Sequence, residues 1–148
     1  MIGHSVKSYE ASLNDIDRTI SEIGGNSERL IAEAFSALLR RDPKRADAAL
    51  ALNIQVNELE RSLQAQATQL LTHRLPSSRQ LRRVVTVLKI GADLVRIAGL
   101  GGSIARGATK IAYEVPPRAL MSGFAHMAER AQTQLKDVLD SNEARDTD

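Results

Sequence analysis

The chain has 148 residues, 43% apolar and 26% charged, a size and balance that fit one folded domain with a real core and exclude a disordered chain. It has no cysteine, which excludes disulfides and thiolate metal sites and fits a reducing cytoplasm. The net charge of +2 is small but uneven: residues 74–115 hold eight basic side chains against two acids, while the flanks are acidic.

The first element is an amphipathic helix. Tyr9, Leu13, Ile16, Ile20, Ile23, Ser27, Leu30, Ala34 and Leu38 recur at spacings of three and four. Gly24-Gly25 interrupts that stripe and is expected to bend the helix, at about 1 kcal/mol per glycine relative to alanine. Arg40 and Arg41 suit a helix C-terminus, and Asp42-Pro43 reads as an N-cap followed by proline in the first helical position. The second helix carries Ala49, Leu52, Val56, Leu59, Leu63, Ala67 and Leu70 on one face and stops before Leu75-Pro76.

Ser77 with Gln80 has the form of a capping box and opens a third helix. This helix carries two stripes, Val84–Leu88–Gly91–Val95–Ala98–Gly102–Ala105 and Val87–Ile90–Leu94–Ile97–Gly101–Ile104–Ala108–Ile111. Apolar over so wide an arc, it is expected to pack on more than one side. Pro116-Pro117 then breaks the chain. A fourth helix follows over 116–140 with Leu120, Phe124, Met127, Ala131, Leu135 and Val138 in line, and residues 141–148 read as a frayed polar tail. No strand pattern is present. The fold expected is all-α: an elongated antiparallel three-helix bundle over 1–112 with an additional fourth helix.

The stretch LVRIAGLGGSIARG, residues 94–107, packs four glycines into fourteen positions. A phosphate-cradling loop needs a strand before it and a helix opening after it, but here helical periodicity runs into and through the glycines. Close helix packing or a site that has lost its side chains are the readings left. His4, His73 and His126 lie far apart with no partner at i+3 or i+4, and read as surface or packing residues rather than a zinc site. Asp15/Asp17 and Glu58/Glu60 are two apart and point to different helix faces. No nucleophile, base and acid are arranged for catalysis. Arg79, Arg82, Arg83, Lys89 and Arg96 raise nucleic acid as a ligand for the basic third helix, against which stand the weak net charge and the missing stacking aromatics. The apolar runs are too short to span a membrane, and the opening Met-Ile-Gly-His lacks the pattern of a signal peptide.

Several stretches, in order, resemble the PhoU family of phosphate-transport regulators. His4-Ser-Val-Lys-Ser-Tyr9 looks like its opening, followed by Gly24-Gly25 and Arg41-Asp42. Val56-Asn57-Glu58-Leu59-Glu60 is similar to its V-N-x-L-E, and Arg74-Leu75-Pro76 with Leu81-Arg82-Arg83-Val84 to its R-Q-P and D-L-R-x-V. Asp93-Leu94-Val95-Arg96-Ile97-Ala98-Gly99 falls on its D/E-L-E-R-I-G-D. The resemblance covers one full PhoU/spectrin-like three-helix repeat and the opening helix of a second.

What the resemblance implies is a cytoplasmic, non-enzymatic adaptor, peripheral at the inner membrane through its partners. Those partners are a sensor histidine kinase and the ATPase of a phosphate ABC transporter. It also implies an iron or zinc cluster on an E-x-x-x-D of the third helix. Val95 stands at the glutamate and Gly99 at the aspartate, with Asp93 the one acid left, so the cluster is expected to be absent and no cofactor is assigned. Arg74, Arg79, Arg82 and Arg83 are the expected partner surface. Leu120, Phe124 and Met127 on the fourth helix are the expected surface for a homodimer. The alternative is a diverged structural bundle that kept the fold and lost the regulation.

Overall fold

The computed structural model describes residues 2–73 and 75–145, with side chains over 8–73 and 75–144. Four helices follow in order: α1 (Ile2–Arg40), α2 (Pro43–His73), α3 (Ser78–Ile111) and α4 (Arg118–Arg145). Among the described residues there is no strand. At 1.5 Å per residue, α1 is about 58 Å long, so the bundle is a rod.

The core forms where periodicity places it. All nine stripe residues of α1 are buried, and α2 contributes Ala49, Leu52, Val56, Leu63, Ala67 and Leu70. Leu59 is half-buried against them. In α3 the first stripe packs toward α2, where the Cβ position of Gly91 meets Leu63 Cδ2 at 2.7 Å. The second packs toward α1, where that of Gly101 meets Ile31 Cδ1 at 2.8 Å. The glycine-rich stretch is therefore the middle of a continuous helix. Gly91 and Gly101 leave space that the side chains of Leu63, Leu30 and Ile31 fill where a methyl group would stand.

The turns are built from their own residues. Arg41 adopts a left-handed φ of 54°, and Asp42 N donates to Ala37 O at 3.0 Å, closing α1. Asp42 then caps α2, its Oδ1 accepting from Lys44 N at 3.0 Å. Arg45 ties this turn back to Glu33 at 3.0 Å. At α3 the capping box is complete: Gln80 N donates to Ser77 Oγ, and Ser77 N donates to Gln80 Oε1.

α1 runs as one helix through Gly24-Gly25 to Arg40, as the single stripe over residues 9–38 implied. The Cβ position of Gly24 lies 2.7 Å from Leu139 Cδ2, so the missing side chain makes a notch that receives α4. The polar tail expected from residue 141 is also helical through Arg145. No glycine or proline stops it, and Ser141 Oγ donates to Asp137 O at 2.7 Å. Lys136 donates to Asp140 at 2.9 Å, which holds the lysine above its ordinary pKa.

Among the described residues, α4 packs chiefly on α1, antiparallel to it. Ala128 and Leu135 are buried, with Phe124, Ala131 and Leu139 packed beside them. Arg41 Nη1 donates to Glu114 O at 3.1 Å, fastening the α3–α4 connection to the α1–α2 turn. The C-terminal end of α4 thereby lies beside the first turns of α3.

Candidate partner-binding groove

A groove of about 270 Å³ opens where α1, the start of α3 and the end of α4 meet. Its floor is apolar: Ile20 from α1 with Val87 and Ile90 from α3. Its rim carries Arg79, Arg82, Arg83 and Thr86 from α3 and Asn142 from α4. Arg79, Arg82 and Thr86 are exposed, and Arg83 forms an ion pair with Asp17 on the α1 side.

Helix geometry puts these groups together. Residues 79, 82, 83 and 86 fall within two turns of α3 on the side toward α1 and α4. Their position is electrostatically unfavourable for the helix itself. The first turn of a helix carries a partial positive charge that acids complement. The first turn of α3 has no acid, and three guanidiniums lie within its first six residues. Asp17 answers one of them from a neighbouring helix.

A second cavity of about 150 Å³ continues the groove, sharing Ile20, Ile90 and Asn142. It adds Leu94, Val138 and Leu139, with the acids Glu28, Asp140 and Glu143 around them. Asp140 and Glu143 flank Asn142 of the basic rim, and Asp140 is paired with Lys136, so the acids of α4 lie beside the arginines over an apolar middle.

Of the residues singled out from the sequence, Arg79, Arg82 and Arg83 are brought together here. Arg74 lies outside the described residues, as does the side chain of His4. His73 and His126 are exposed, and His73 Nδ1 bonds its own helix at Gln69 O. Asp17 and Asn142 were not legible as members, since they reach the groove from segments far away in sequence. On α4, Leu120 is 50% and Met127 61% exposed, whereas Phe124 turns toward the core.

The third-helix metal positions hold unlike chemistry. Asp93 is exposed, Val95 is packed half-buried against the core, and the Cβ position of Gly99 faces open space. Among the described residues, no three acids or histidines gather at one point. One carboxylate beside an isopropyl group and a bare Cα does not supply the oxygen ligands a hard cation needs.

Residues 20–108, most of the three-helix bundle, match the PhoU domain. The chain belongs to the PhoU family. It is 32% identical over 137 residues to a phosphate-specific transport system accessory protein PhoU homolog of Rhizobium meliloti (strain 1021), covering 93% of this chain and 58% of that protein. A PhoU homolog of the same description from Caulobacter vibrioides is 31% identical over 141 residues, covering 95% of this chain and 61% of that protein. The chain thus spans less than two thirds of the length of these relatives. The crystal structure of PhoU from Pseudomonas aeruginosa superposes with a TM-score of 0.88 at 24% identity, covering 92% of this chain and 65% of that one, a likeness of fold. No helix among the described residues is long and apolar enough to cross a membrane.

Proposed function

We propose that this PhoU-family chain is an accessory regulator of phosphate transport that works by protein contact and performs no chemistry. The observation that carries this reading is the family match over residues 20–108, together with relatives named for a phosphate-specific transport system. The groove fits such a role: guanidiniums, an amide and a hydroxyl over an apolar floor are equipped to bind rather than to turn over a substrate. In this reading the chain is cytoplasmic and reaches the inner membrane through its partners. It damps the phosphate-starvation response by linking a sensor histidine kinase to the ATPase of a phosphate transporter, with Arg79, Arg82 and Arg83 at the contact. The exposed Leu120 and Met127 of α4 are offered to a second copy.

A second reading, a bundle that kept the fold without the regulation, is favoured by Val95 and Gly99 at the family's carboxylate positions. Deleting the gene in its native cell and following a phosphate-starvation reporter separates the two. The regulator reading expects the reporter to rise in phosphate-replete medium and to fall again on complementation. A reporter that does not change in either medium would sink it.

A further inference from the structure

The connection between α3 and α4 leaves large apolar groups in water. Tyr113 is 92% and Val115 84% exposed. Both lie past the last turn of α3, at one end of the rod, rather than on the flank of a packed helix. Val115 precedes Pro116-Pro117, which hold it extended and stiffen the connection. The hydrogen bond from Arg41 to Glu114 O fixes the connection level with the α1–α2 turn. The two side chains are thus presented by a preformed loop, with little left to order on contact.

Positive charge rings them. Arg40 and Arg41 end α1, Lys44 lies in the first turn of α2, Lys110 in the last turn of α3, and Arg118 starts α4. All five are exposed. The acids here are fewer. Asp42 is engaged by Lys44 N and Arg45, which leaves Glu114 and Asp47 exposed. The opposite end of the bundle differs. Its loop residues 75–77 present Leu75 as their one large apolar group, and Asp17, Asp140 and Glu143 lie among its arginines.

The shape and chemistry of this end select its partner. A convex apex has no groove to hold a peptide. Nucleic acid would use the bases and the Tyr113 ring but leave Val115 in water. A bilayer accommodates every part: an aliphatic group at the acyl boundary, a tyrosine ring at headgroup depth, and bases on anionic headgroups. We propose that this end of the bundle docks on an anionic membrane surface, with Tyr113 and Val115 entering the interface and Arg40, Lys44, Lys110 and Arg118 on the headgroups. The contact is the chain's own and adds to any made through partners. It also sets an orientation. The 34 residues of α3 span about 51 Å, so the arginine groove at its start stands well off the bilayer, open to other proteins.

The chain has no tryptophan, so Val115→Trp places a single reporter at the apex and Leu75→Trp places one at the opposite end. The vesicles are equal parts phosphatidylglycerol and phosphatidylcholine, with no other protein present. On them Val115→Trp should shift its emission to the blue and be quenched by brominated lipid, and Leu75→Trp should do neither. The unmodified chain should co-sediment with these vesicles saturably, and less so as salt rises. Lys110→Glu/Arg118→Glu should lose about tenfold or more in apparent affinity. Tyr113→Ser/Val115→Ser should lose a similar factor. Both variants alter exposed positions and should keep their helical circular dichroism. Arg79→Glu/Arg82→Glu should bind vesicles like the unmodified chain.

No sedimentation, or equal sedimentation with pure phosphatidylcholine vesicles, overturns the proposal. So does a blue shift at Leu75→Trp equal to that at Val115→Trp, which would lay the rod flat. Displacement from the vesicles by a single-stranded RNA oligonucleotide at matched ionic strength also overturns it, in favour of a nucleic-acid surface. Since no partner is present, failure here leaves the adaptor reading standing. A silent reporter in the cell with normal vesicle binding removes the phosphate role and leaves the membrane contact.

Discussion

Replacing Gly101 and Gly99 separately by alanine isolates what the glycine-rich stretch does. The two positions lie two residues apart in one helix, so the intrinsic gain of about 1 kcal/mol from glycine to alanine is common to both. Their surroundings differ. The Cβ position at Gly99 has no neighbour within 4 Å. At Gly101 it lies 2.8 Å from Ile31 Cδ1 and also overlaps Leu30 Cδ2. The overlapping atoms are the ends of the Leu30 and Ile31 side chains, both buried, so they can yield only by repacking against their neighbours, and overpacking of this kind costs about 1–3 kcal/mol. Gly99→Ala should therefore stabilise by about 1 kcal/mol, with Gly101→Ala about 1–3 kcal/mol less stable than Gly99→Ala. Urea denaturation followed by far-UV circular dichroism measures both, provided the slope with denaturant is unchanged. Equal stability of the two variants would refute the idea that Leu30 and Ile31 of α1 fill the space at Gly101.

Three further outcomes follow from the same structure. Ser27 is fully buried with its hydroxyl unpartnered, so Ser27→Ala should raise stability by about 1 kcal/mol in the same urea assay; a loss would reveal a missed partner. Protein purified without chelator should contain no stoichiometric iron, zinc or manganese by elemental analysis, and a stoichiometric metal would overturn the argument from Asp93, Val95 and Gly99. Light scattering of the full chain should show a dimer that Met127→Glu shifts toward monomer, while a strict monomer in the unmodified chain would end the α4 self-association reading.

The bundle was legible because its helices are long and their large aliphatic residues repeat with the helical period. Leu13, Ile16, Ile20 and Ile23 needed no tertiary information to be placed on one face, and Ser77 with Gln80 announced the start of α3. What escaped depends on distant partners. Gly24 looked like a flaw in α1 because Leu139, which fills its notch, comes from the far end of the chain. The stripe read on α4 put Met127 and Val138 in line. The buried face uses Ala128 and Leu139 instead, one position further on in each case. A small alanine carries little hydrophobic signal, and a helix held chiefly by one neighbour leaves large apolar residues exposed on its flank.

The arginines of the groove were visible as a cluster but not as a rim. Asp17 and Asn142, contributed by two other helices, give the cluster its concave form. The apolar floor was hidden for the opposite reason. Ile20, Val87 and Ile90 read simply as core, although they also line a cavity that opens to solvent.

Co-purification of the full chain from its native cell, in phosphate-replete and phosphate-starved medium, tests the central claim most directly. Wild type should bring down components of a phosphate transporter or its sensor kinase, and Arg79→Glu/Arg83→Glu should lose them while remaining folded. Recovery of the same partners by the variant, or of none by wild type in either medium, would contradict an adaptor that works through this groove.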